Sequence, residues 1–232
     1  MEEAWERSAL LLGEAALARL ARAHVWVFGA GGVGSYCIEA LVRSGIGRLT
    51  VVDGDCVDIT NCNRQLIADR TTIGQPKAAV AKARAERINP KVQFTALHCV
   101  FLPDNADAFD FSGADFVVDA VDMVTAKISI IQKAIAAHVP VISCMGTGNK
   151  LDPSRLEVTD LFRTDTDPLA RVMRRELKQR GIAALPVVCS KEPPQKQPCK
   201  DGGRPVTASV PWVPSVAGLL AAGYVARAIA QV

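Results

Sequence analysis

Four glycine residues early in the chain have the spacing of a loop that binds phosphate groups. They lie in the segment Gly29-Ala30-Gly31-Gly32-Val33-Gly34, which matches G-x-G-x-x-G and stands between an apolar run and a helical pattern. Glycines in this position permit a tight turn and a close approach of phosphate to the N–H groups at a helix N-terminus. Asp53 follows nineteen residues after Gly34, where a carboxylate can accept hydrogen bonds from ribose hydroxyls. The pattern predicts that an adenine nucleotide binds here.

A polar cluster follows the second predicted strand, and its members could contact the rest of the nucleotide. The candidates are Asp55, Asn61, Arg64, Gln65 and Lys77. An Arg and a Lys near the same phosphate site suit a triphosphate because they neutralise its negative charge. Solvated surface charges are the alternative for Arg64 and Lys77, although their joint placement after a phosphate loop weighs against it.

Two carboxylates, Asp119 and Asp122, come at the end of the fourth predicted strand. Ligands bind at the carboxyl edge of open α/β sheets, which is the edge where these residues and the glycine loop are expected. A carboxylate at this edge can hold Mg²⁺, because that ion takes oxygen ligands and bridges phosphates. The two carboxylates therefore add a candidate magnesium site.

The surrounding residues favour ATP with Mg²⁺ over a nicotinamide cofactor. Hydride transfer needs a proton donor, but neither Tyr36 nor Tyr224 has a Lys four residues on, and the three His residues fall in or beside apolar strands. With the pyrophosphate portion of ATP held by glycines and cations, the natural reaction is attack of a carboxylate on the α-phosphorus. This attack gives an acyl-adenylate and pyrophosphate. Arg64 and Lys77 would stabilise the charge that develops in the transition state.

The elements that must position these residues alternate short apolar strands with longer helical patterns. Such alternation predicts a Rossmann-like α/β fold, a doubly wound and mostly parallel sheet with helices on both faces. The predicted strands are His24–Phe28, Arg48–Asp53, Val92–His98, Asp115–Ala120, Val139–Cys144, Arg155–Leu161 and Leu185–Cys189. The predicted helices are Val33–Ser44, one that opens at Pro76, about Met123–Ala137, Pro168–Arg180 and one after Pro214.

The second half of the chain is rich in proline, yet we expect a single domain over residues 1–232. Seven of the thirteen prolines lie between Pro186 and Pro214, which predicts a long loop at about 186–214. Residues 205–226 carry no charge and are nominally long enough to span a bilayer, but only about twelve residues of clean helix follow Pro214. We therefore expect a buried C-terminal helix and no membrane contact. The acidic N-terminal segment lacks the pattern of a secretion signal, which predicts a cytoplasmic protein.

Composition excludes some classes of protein, and the spacing of the cysteines limits the roles that they can have. With 49% hydrophobic and 22% charged residues the chain is too apolar for a disordered protein, and a net charge of +3 does not by itself indicate nucleic-acid binding. No two of the seven cysteines form a Cys-x-x-Cys pair, so no zinc site is expected. Cys189 borders the proline-rich segment and is a candidate acyl-accepting thiol, whereas Cys37, Cys56 and Cys144 are predicted to be packing residues.

Two stretches of the chain resemble a known family. The first, VFGAGGVGSYCIEAL…GIGRLTVVDGDCVDITNCNRQ…IGQPK…INP, resembles the adenylating domain shared by ThiF, MoeB, HesA and ubiquitin-activating enzymes. The second, GTGNKLDPSRLEVTDLFRTDTDPLARVMRRELKQRGI, resembles the tRNA threonylcarbamoyladenosine dehydratase branch of that superfamily. The resemblance runs from about Arg7 to the C-terminus.

The resemblance implies roles for single residues. Asp53 would bind the ribose, while Asn61, Arg64 and Lys77 would contact the phosphates and Asp122 would serve Mg²⁺. Arg7 matches an arginine that members of this superfamily extend across a dimer interface into the partner's ATP site, which implies a homodimer.

The resemblance also implies a reaction and a partner. The family adenylates the threonine carboxylate of N6-threonylcarbamoyladenosine at position 37 of certain tRNAs, and ring closure then expels AMP. Residues 163–204 carry ten Lys or Arg and five Asp or Glu, a net charge of +5, as expected for contact with a phosphate backbone. A solvated helical face is the alternative for this basic segment. Ring closure on an acyl-adenylate needs no thioester, which weighs against Cys189.

Several alternatives stay open. The chain could be a MoeB/ThiF-like adenylating activator of a small sulfur-carrier protein, although such relatives commonly carry two Cys-x-x-Cys zinc pairs. It could also be a nucleotide-sensing scaffold, against which the intact set of site residues speaks. A monovalent cation near the glycine loop and a cysteine desulfurase or sulfur-acceptor system as partner are further open questions.

Overall fold

The computed structural model describes residues 3–197 and 207–232. The strands are β1 His24–Phe28, β2 Arg48–Val52, β3 Gln93–Leu97, β4 Phe116–Asp119, β5 Val141–Cys144, β6 Leu156–Asp160 and β7 Pro186–Ser190. The α-helices are α1 Glu6–Leu12, α2 Glu14–Arg22, α3 Gly34–Arg43, α4 Lys77–Ile88, α5 Val124–Ala136, α6 Pro168–Gln179 and α7 Trp212–Ala230. The observed strands lie within two residues of their predicted bounds, the usual uncertainty of element ends.

The seven strands form one sheet in the order β3-β2-β1-β4-β5-β7-β6. Every adjacent pair is parallel except β6 and β7, which are antiparallel. The chain builds outward from β1 in one direction through β2 and β3, then returns to the other side of β1 with β4. The crevice between the carboxyl ends of β1 and β4 is therefore the switch point of the sheet, where ligands of such folds bind.

Apolar residues cover both faces of the sheet, and helices pack on each face. On β1, Val25 and Val27 face one side while Trp26 and Phe28 face the other, because successive side chains of a strand alternate. Helices α2, α3, α4 and α7 contribute to the apolar core on the first side, and α5 and α6 contribute to the core on the second. This arrangement confirms the predicted doubly wound, mostly parallel α/β fold.

Helix α7 begins earlier than predicted. It starts at Trp212, two residues before Pro214, and runs for 19 residues. Proline is tolerated there because the N–H groups of a helix's first turn have no intrahelical acceptor. By length and hydropathy α7 could cross a membrane, but it packs closely on α3: a Cβ on Gly218 would lie 2.2 Å from the carbonyl oxygen of Val33. These contacts identify α7 as a core helix of this fold.

The proline-rich loop is shorter than the predicted range of 186–214. Its first residues form β7, since proline is acceptable as the first residue of a strand, and its last residues begin α7. The middle of the predicted loop, residues 198–206, lies outside the described residues. The two described flanks, 191–197 and 207–211, contain no helix or strand.

Candidate active site

The glycine loop joins β1 to α3 at the switch point, and two of its glycines are required by its geometry. Gly29 has a φ of +91°, and a Cβ there would lie 2.7 Å from the carbonyl oxygen of Ala120. A Cβ on Gly34 would lie 1.8 Å from the carbonyl oxygen of Gly29. The loop therefore folds tightly against the end of β4, and Gly31 and Gly32 line a cavity beside the start of α3. This is the geometry in which backbone N–H groups bind a phosphate.

A cavity of about 600 Å³ opens beside the glycine loop at the carboxyl edge of the sheet. Its volume lies within the range of small-molecule sites. Ten of the predicted site residues line it: Gly29, Gly31, Gly32, Asp53, Asp55, Asn61, Arg64, Gln65, Lys77 and Asp122. Gly34 lies within α3, and neither Arg7 nor Cys189 lines this cavity.

Asp53 connects the two loops that should hold the nucleotide. Its Oδ2 atom accepts a hydrogen bond from the Ala30 backbone at 2.6 Å, and its Oδ1 atom accepts one from the Asp55 backbone at 2.8 Å. A carboxylate has about four lone-pair sites, so acceptor capacity remains for ribose hydroxyls. The predicted position of Asp53 in the cavity is thus compatible with ribose binding.

Lys77 is held by an acidic partner. Its Nζ atom lies 2.7 Å from Asp55 Oδ2, and the Lys77 side chain is 7% exposed whereas that of Asp55 is 71% exposed. A buried ammonium group requires a compensating charge, because desolvation is costly. Asp55 supplies that charge, and a phosphate oxygen in the cavity could replace it. The structure thus brings Lys77 to the cavity but pairs it with another predicted site residue.

Gln65 leaves a polar atom in the cavity wall without a partner. The residue is 7% exposed, and its Oε1 atom makes no hydrogen bond among the described residues. A buried acceptor without a donor costs free energy, so a donor that reached this atom would stabilise it. The structure thus places Gln65 in the cavity wall, where the sequence predicts a site residue.

Arg64 and Asn61 lie in and after a short 3₁₀ turn, Ile59–Asn61. Asn61 is buried, and its side-chain oxygen accepts a hydrogen bond from the Asp58 backbone at 3.1 Å. Arg64 Nη1 donates to the Thr60 carbonyl at 2.9 Å and to Asn63 Oδ1 at 2.8 Å. A guanidinium group has five N–H donors, so these bonds orient Arg64 and leave donors for a phosphate.

Of the two candidate carboxylates for Mg²⁺, only Asp122 faces the cavity. Asp119 is fully buried, its Oδ2 atom accepts a hydrogen bond from Ser143 Oγ at 2.5 Å, and it does not line the cavity. The expectation for Asp119 is wrong because its side chain points into the core rather than beyond the strand end. Within residues 3–197 and 207–232 no three His, Cys, Asp or Glu side chains form a metal-binding group. A single carboxylate still fits Mg²⁺, which is often held by one or two carboxylates, waters and substrate phosphates.

The sequence pattern does not predict one wall of the cavity. This wall consists of the loop after β5, residues 145–148, and the segment 207–209, with Met123 and Leu169 beside them. Asn149 joins the two segments: its N–H donates to the Ala208 carbonyl at 2.8 Å, and its Oδ1 accepts from the Ala208 N–H at 2.7 Å. The sequence does offer one signal for this wall, a Gly-Thr-Gly run that begins two residues after the end of β5. Because β5 is parallel to β4 and β4 to β1, β5 ends at the same sheet edge as β1.

The structure argues against Cys189 as a nucleophile. The residue lies in β7, is 4% exposed and belongs to the apolar core. Burial raises the pKa of the Cys189 thiol to about 11, so the thiol stays protonated at neutral pH. A cysteine nucleophile reacts as the thiolate. Cys37 and Cys144 are buried as predicted, but Cys56 is exposed, contrary to its predicted packing role.

Arg7 is exposed on α1 and does not line the cavity of its own chain. Its expected role in the site of a partner subunit stays a prediction.

Comparison with known proteins shows which family shares these features. A model of the ThiF family matches residues 5–231. The tRNA threonylcarbamoyladenosine dehydratase of Bacillus subtilis is 40% identical over 234 residues, which cover 95% of this chain and 92% of that protein. The protein of the same name from Escherichia coli is 40% identical over 182 residues, 77% of this chain and 68% of that one.

A solved structure agrees with these sequence matches. The crystal structure of the E. coli tRNA N6-threonylcarbamoyladenosine dehydratase in complex with AMP has a TM-score of 0.90 and 34% identity, and the match covers 99% of this chain and 96% of that one. The chain therefore belongs to the ThiF family, and within it to the branch of the tRNA threonylcarbamoyladenosine dehydratases.

Proposed function

We propose that the protein is an ATP-dependent tRNA threonylcarbamoyladenosine dehydratase. A carboxylate oxygen of the modified nucleoside's threonine attacks the α-phosphorus of ATP, and pyrophosphate leaves. The carbamoyl group then attacks the activated carboxyl carbon, which closes a ring, releases a proton and expels AMP with the former carboxylate oxygen. The net change in the nucleoside is the loss of one water. The observation that carries the proposal is the phosphate-binding geometry of the cavity in a chain related to these enzymes throughout its length.

The residues around the cavity have separate roles in this reaction. The glycine loop and Asn61 bind the phosphates, and Asp53 accepts from the ribose. Arg64 and Lys77 stabilise negative charge on the transferring and leaving phosphates, a contribution that preorganised donors make efficiently in a shielded site. Asp122 would hold Mg²⁺, which neutralises phosphate charge. Solved structures of the E. coli relative contain AMP or ATP.

The basic helix α6 supports tRNA as the partner. Leu169 in its first turn lines the cavity, and Arg171, Arg175 and Lys178 are exposed farther along the same helix. Glu176 pairs with Arg175 and with Arg180, both at 2.9 Å. These are surface ion pairs, which contribute little and are readily replaced. A tRNA whose modified base enters the cavity would bring neighbouring backbone phosphates towards this helix.

A homodimer is part of the proposal. Leu10 and Leu11 on α1 are 89% and 86% exposed, and a second subunit that covers them would remove a costly apolar surface from water. Arg7 on the same helix would then enter the partner's ATP site. We propose a cytoplasmic location without membrane attachment. Among residues 3–197 and 207–232 no observation favours the sulfur-carrier activator, a sulfur-transfer partner or a monovalent cation.

Mass spectrometry of nucleosides tests the function. tRNA that contains threonylcarbamoyladenosine is incubated with the protein, ATP and Mg²⁺ and is then digested. We expect the modified nucleoside to lose one water, and only when ATP is present. If it stays unchanged while ATP binds, the dehydratase function is wrong. ATP–pyrophosphate exchange that depends on a carrier protein instead of tRNA would then support the sulfur-carrier alternative.

A further inference from the structure

A lysine without exposed surface lies directly behind the cavity. Lys127 is on α5, and its side chain is 0% exposed. Its Nζ atom donates to the carbonyl oxygens of Val121 at 2.9 Å and Cys144 at 2.8 Å, and lies 3.0 Å from Asp119 Oδ2. An ammonium group has three N–H donors, so these three acceptors satisfy it completely.

The same ion pair holds Val121 at both of its backbone polar groups. The Val121 N–H donates to Asp119 Oδ1 at 3.2 Å, and the Val121 carbonyl accepts from Lys127. The next residue in the chain is Asp122, whose side chain lies in the cavity. The ion pair therefore holds the two consecutive peptide groups that precede the Asp122 Cα atom, and these set the direction in which the chain leaves the core at Asp122.

Lys127 also contacts the start of the opposite wall. Cys144 is the last residue of β5, and the loop of residues 145–148 that follows it lines the cavity. One ammonium group therefore connects two segments of the cavity wall: the loop that carries Asp122 and the loop of residues 145–148. Any change in the position of Lys127 would move both loops relative to each other.

The fold itself does not require a charge at this position. Lys127, Ile130, Ile131 and Ala134 have the i, i+3, i+4, i+7 spacing of one buried helical face. An apolar residue would continue that face, and replacement of a buried ion pair by apolar groups is often neutral or stabilising. The charged pair is therefore better explained by the loops that it holds than by the stability of the core.

We propose that Lys127, paired with Asp119, is a positioning residue for the adenylation site, and that it acts by fixing the direction of Asp122 towards the metal–phosphate end of the cavity. The inference rests on the proposed role of Asp122. Lys127 does not itself touch the nucleotide, since it is fully buried and does not line the cavity.

The test uses Lys127→Met in the full chain and measures binding of a fluorescent ATP analogue while Mg²⁺ is titrated. Without Mg²⁺ we expect little change in affinity, because the glycine loop, Arg64 and Lys77 are intact. The Mg²⁺ concentration for the half-maximal response should rise about 10- to 100-fold, the usual effect of losing a group that orients a metal ligand. The rate of nucleoside dehydration should fall by a similar factor at fixed Mg²⁺.

Two further variants separate positioning from loss of stability. Ile131→Ala removes buried volume on the same helix, at a residue that does not line the cavity. It should lower the melting temperature without a change in Mg²⁺ response. The double variant Asp119→Asn/Lys127→Met is neutral and should regain thermal stability relative to Lys127→Met. Its Mg²⁺ response should stay impaired, because the Val121 carbonyl still lacks a donor.

The inference is overturned if Ile131→Ala shifts the Mg²⁺ response as much as Lys127→Met, or if the double variant restores that response. It also fails if the wild-type protein shows no Mg²⁺ response. The Mg²⁺ titrations and the melting temperatures need no tRNA, unlike the dehydration rate. A wild-type protein that leaves the nucleoside unchanged would therefore refute the proposed dehydration, while the nucleotide-binding measurements would still decide the role of Lys127.

Discussion

Replacement of Arg64 by alanine should separate catalysis from folding in this site. The guanidinium group lies in the cavity wall, and local bonds to the Thr60 carbonyl and to Asn63 Oδ1 orient it. Loss of one donor that stabilises transition-state charge lowers kcat by about 10²–10³, or about 2.7–4 kcal/mol. Loss of the two local hydrogen bonds should cost no more than about 3 kcal/mol of stability at about 0.5–1.5 kcal/mol each. Both bonds are exposed to solvent, so we expect the loss of stability to lie near the lower end of this range.

The assay is single-turnover dehydration of the modified tRNA with saturating ATP, together with thermal unfolding. We expect Arg64→Ala to react about 10²–10³ times more slowly than wild type, with a melting temperature only slightly reduced. Arg87→Ala is the matched control, since Arg87 is exposed on α4 and does not line the cavity. It should react at the wild-type rate. A rate for Arg64→Ala equal to that of the control would refute the assignment of Arg64 to the reacting phosphates.

Three other expectations follow from single groups elsewhere in the structure. In the native protein, Cys189 should resist alkylation at pH 7–8 while Cys56 is modified, as mass spectrometry would show. Cys189→Ser should keep its activity, and a large loss of rate in this variant would support Cys189 as a nucleophile. Arg171→Ala/Arg175→Ala should weaken tRNA binding and its salt dependence but not ATP binding, as fluorescence titrations would show. Burial opposes ionisation of Glu39, but its hydrogen bonds to Arg84 and Arg43 outweigh burial and lower its pKa. The stability that ionised Glu39 contributes is thus fully present above the ordinary glutamate pKa and is lost as the pH falls through the lowered value. The free energies of unfolding of wild type and Glu39→Gln, measured with denaturant, should therefore converge in acid.

The sheet and the nucleotide half of the site could be predicted because their signals are local. Most strands are short apolar runs, and G-x-G-x-x-G encodes a turn whose steric demands fall on Gly29 and Gly34. Asp53 directly follows β2 and Lys77 begins α4, the next α-helix along the chain, so the signals for both lie in one connection between consecutive elements. In each case one short stretch of sequence carries the information.

The other half of the site depends on contacts between distant parts of the chain. Asn149 meets Ala208 across 59 positions, and no local pattern shows that pairing. Asp119 is the last residue of β4, and the alternation of side chains along the strand directs it into the core instead of the cavity. Lys127 looks like a surface residue by type, although the spacing of Ile130 and Ile131 shows that it belongs to the buried face.

The ion pair between Lys77 and Asp55 has a consequence for which anions the protein binds. An inorganic phosphate that approaches Lys77 meets an ammonium group whose charge Asp55 already balances, so it gains less than it would at an unpaired lysine. A nucleoside triphosphate meets the same competition from Asp55, but it also reaches the glycine loop, Arg64 and Asp53, which add to its affinity. The acidic partner thus acts as a competitor built into the protein. We therefore expect Lys77 to favour a ligand that spans the whole cavity over a small free anion.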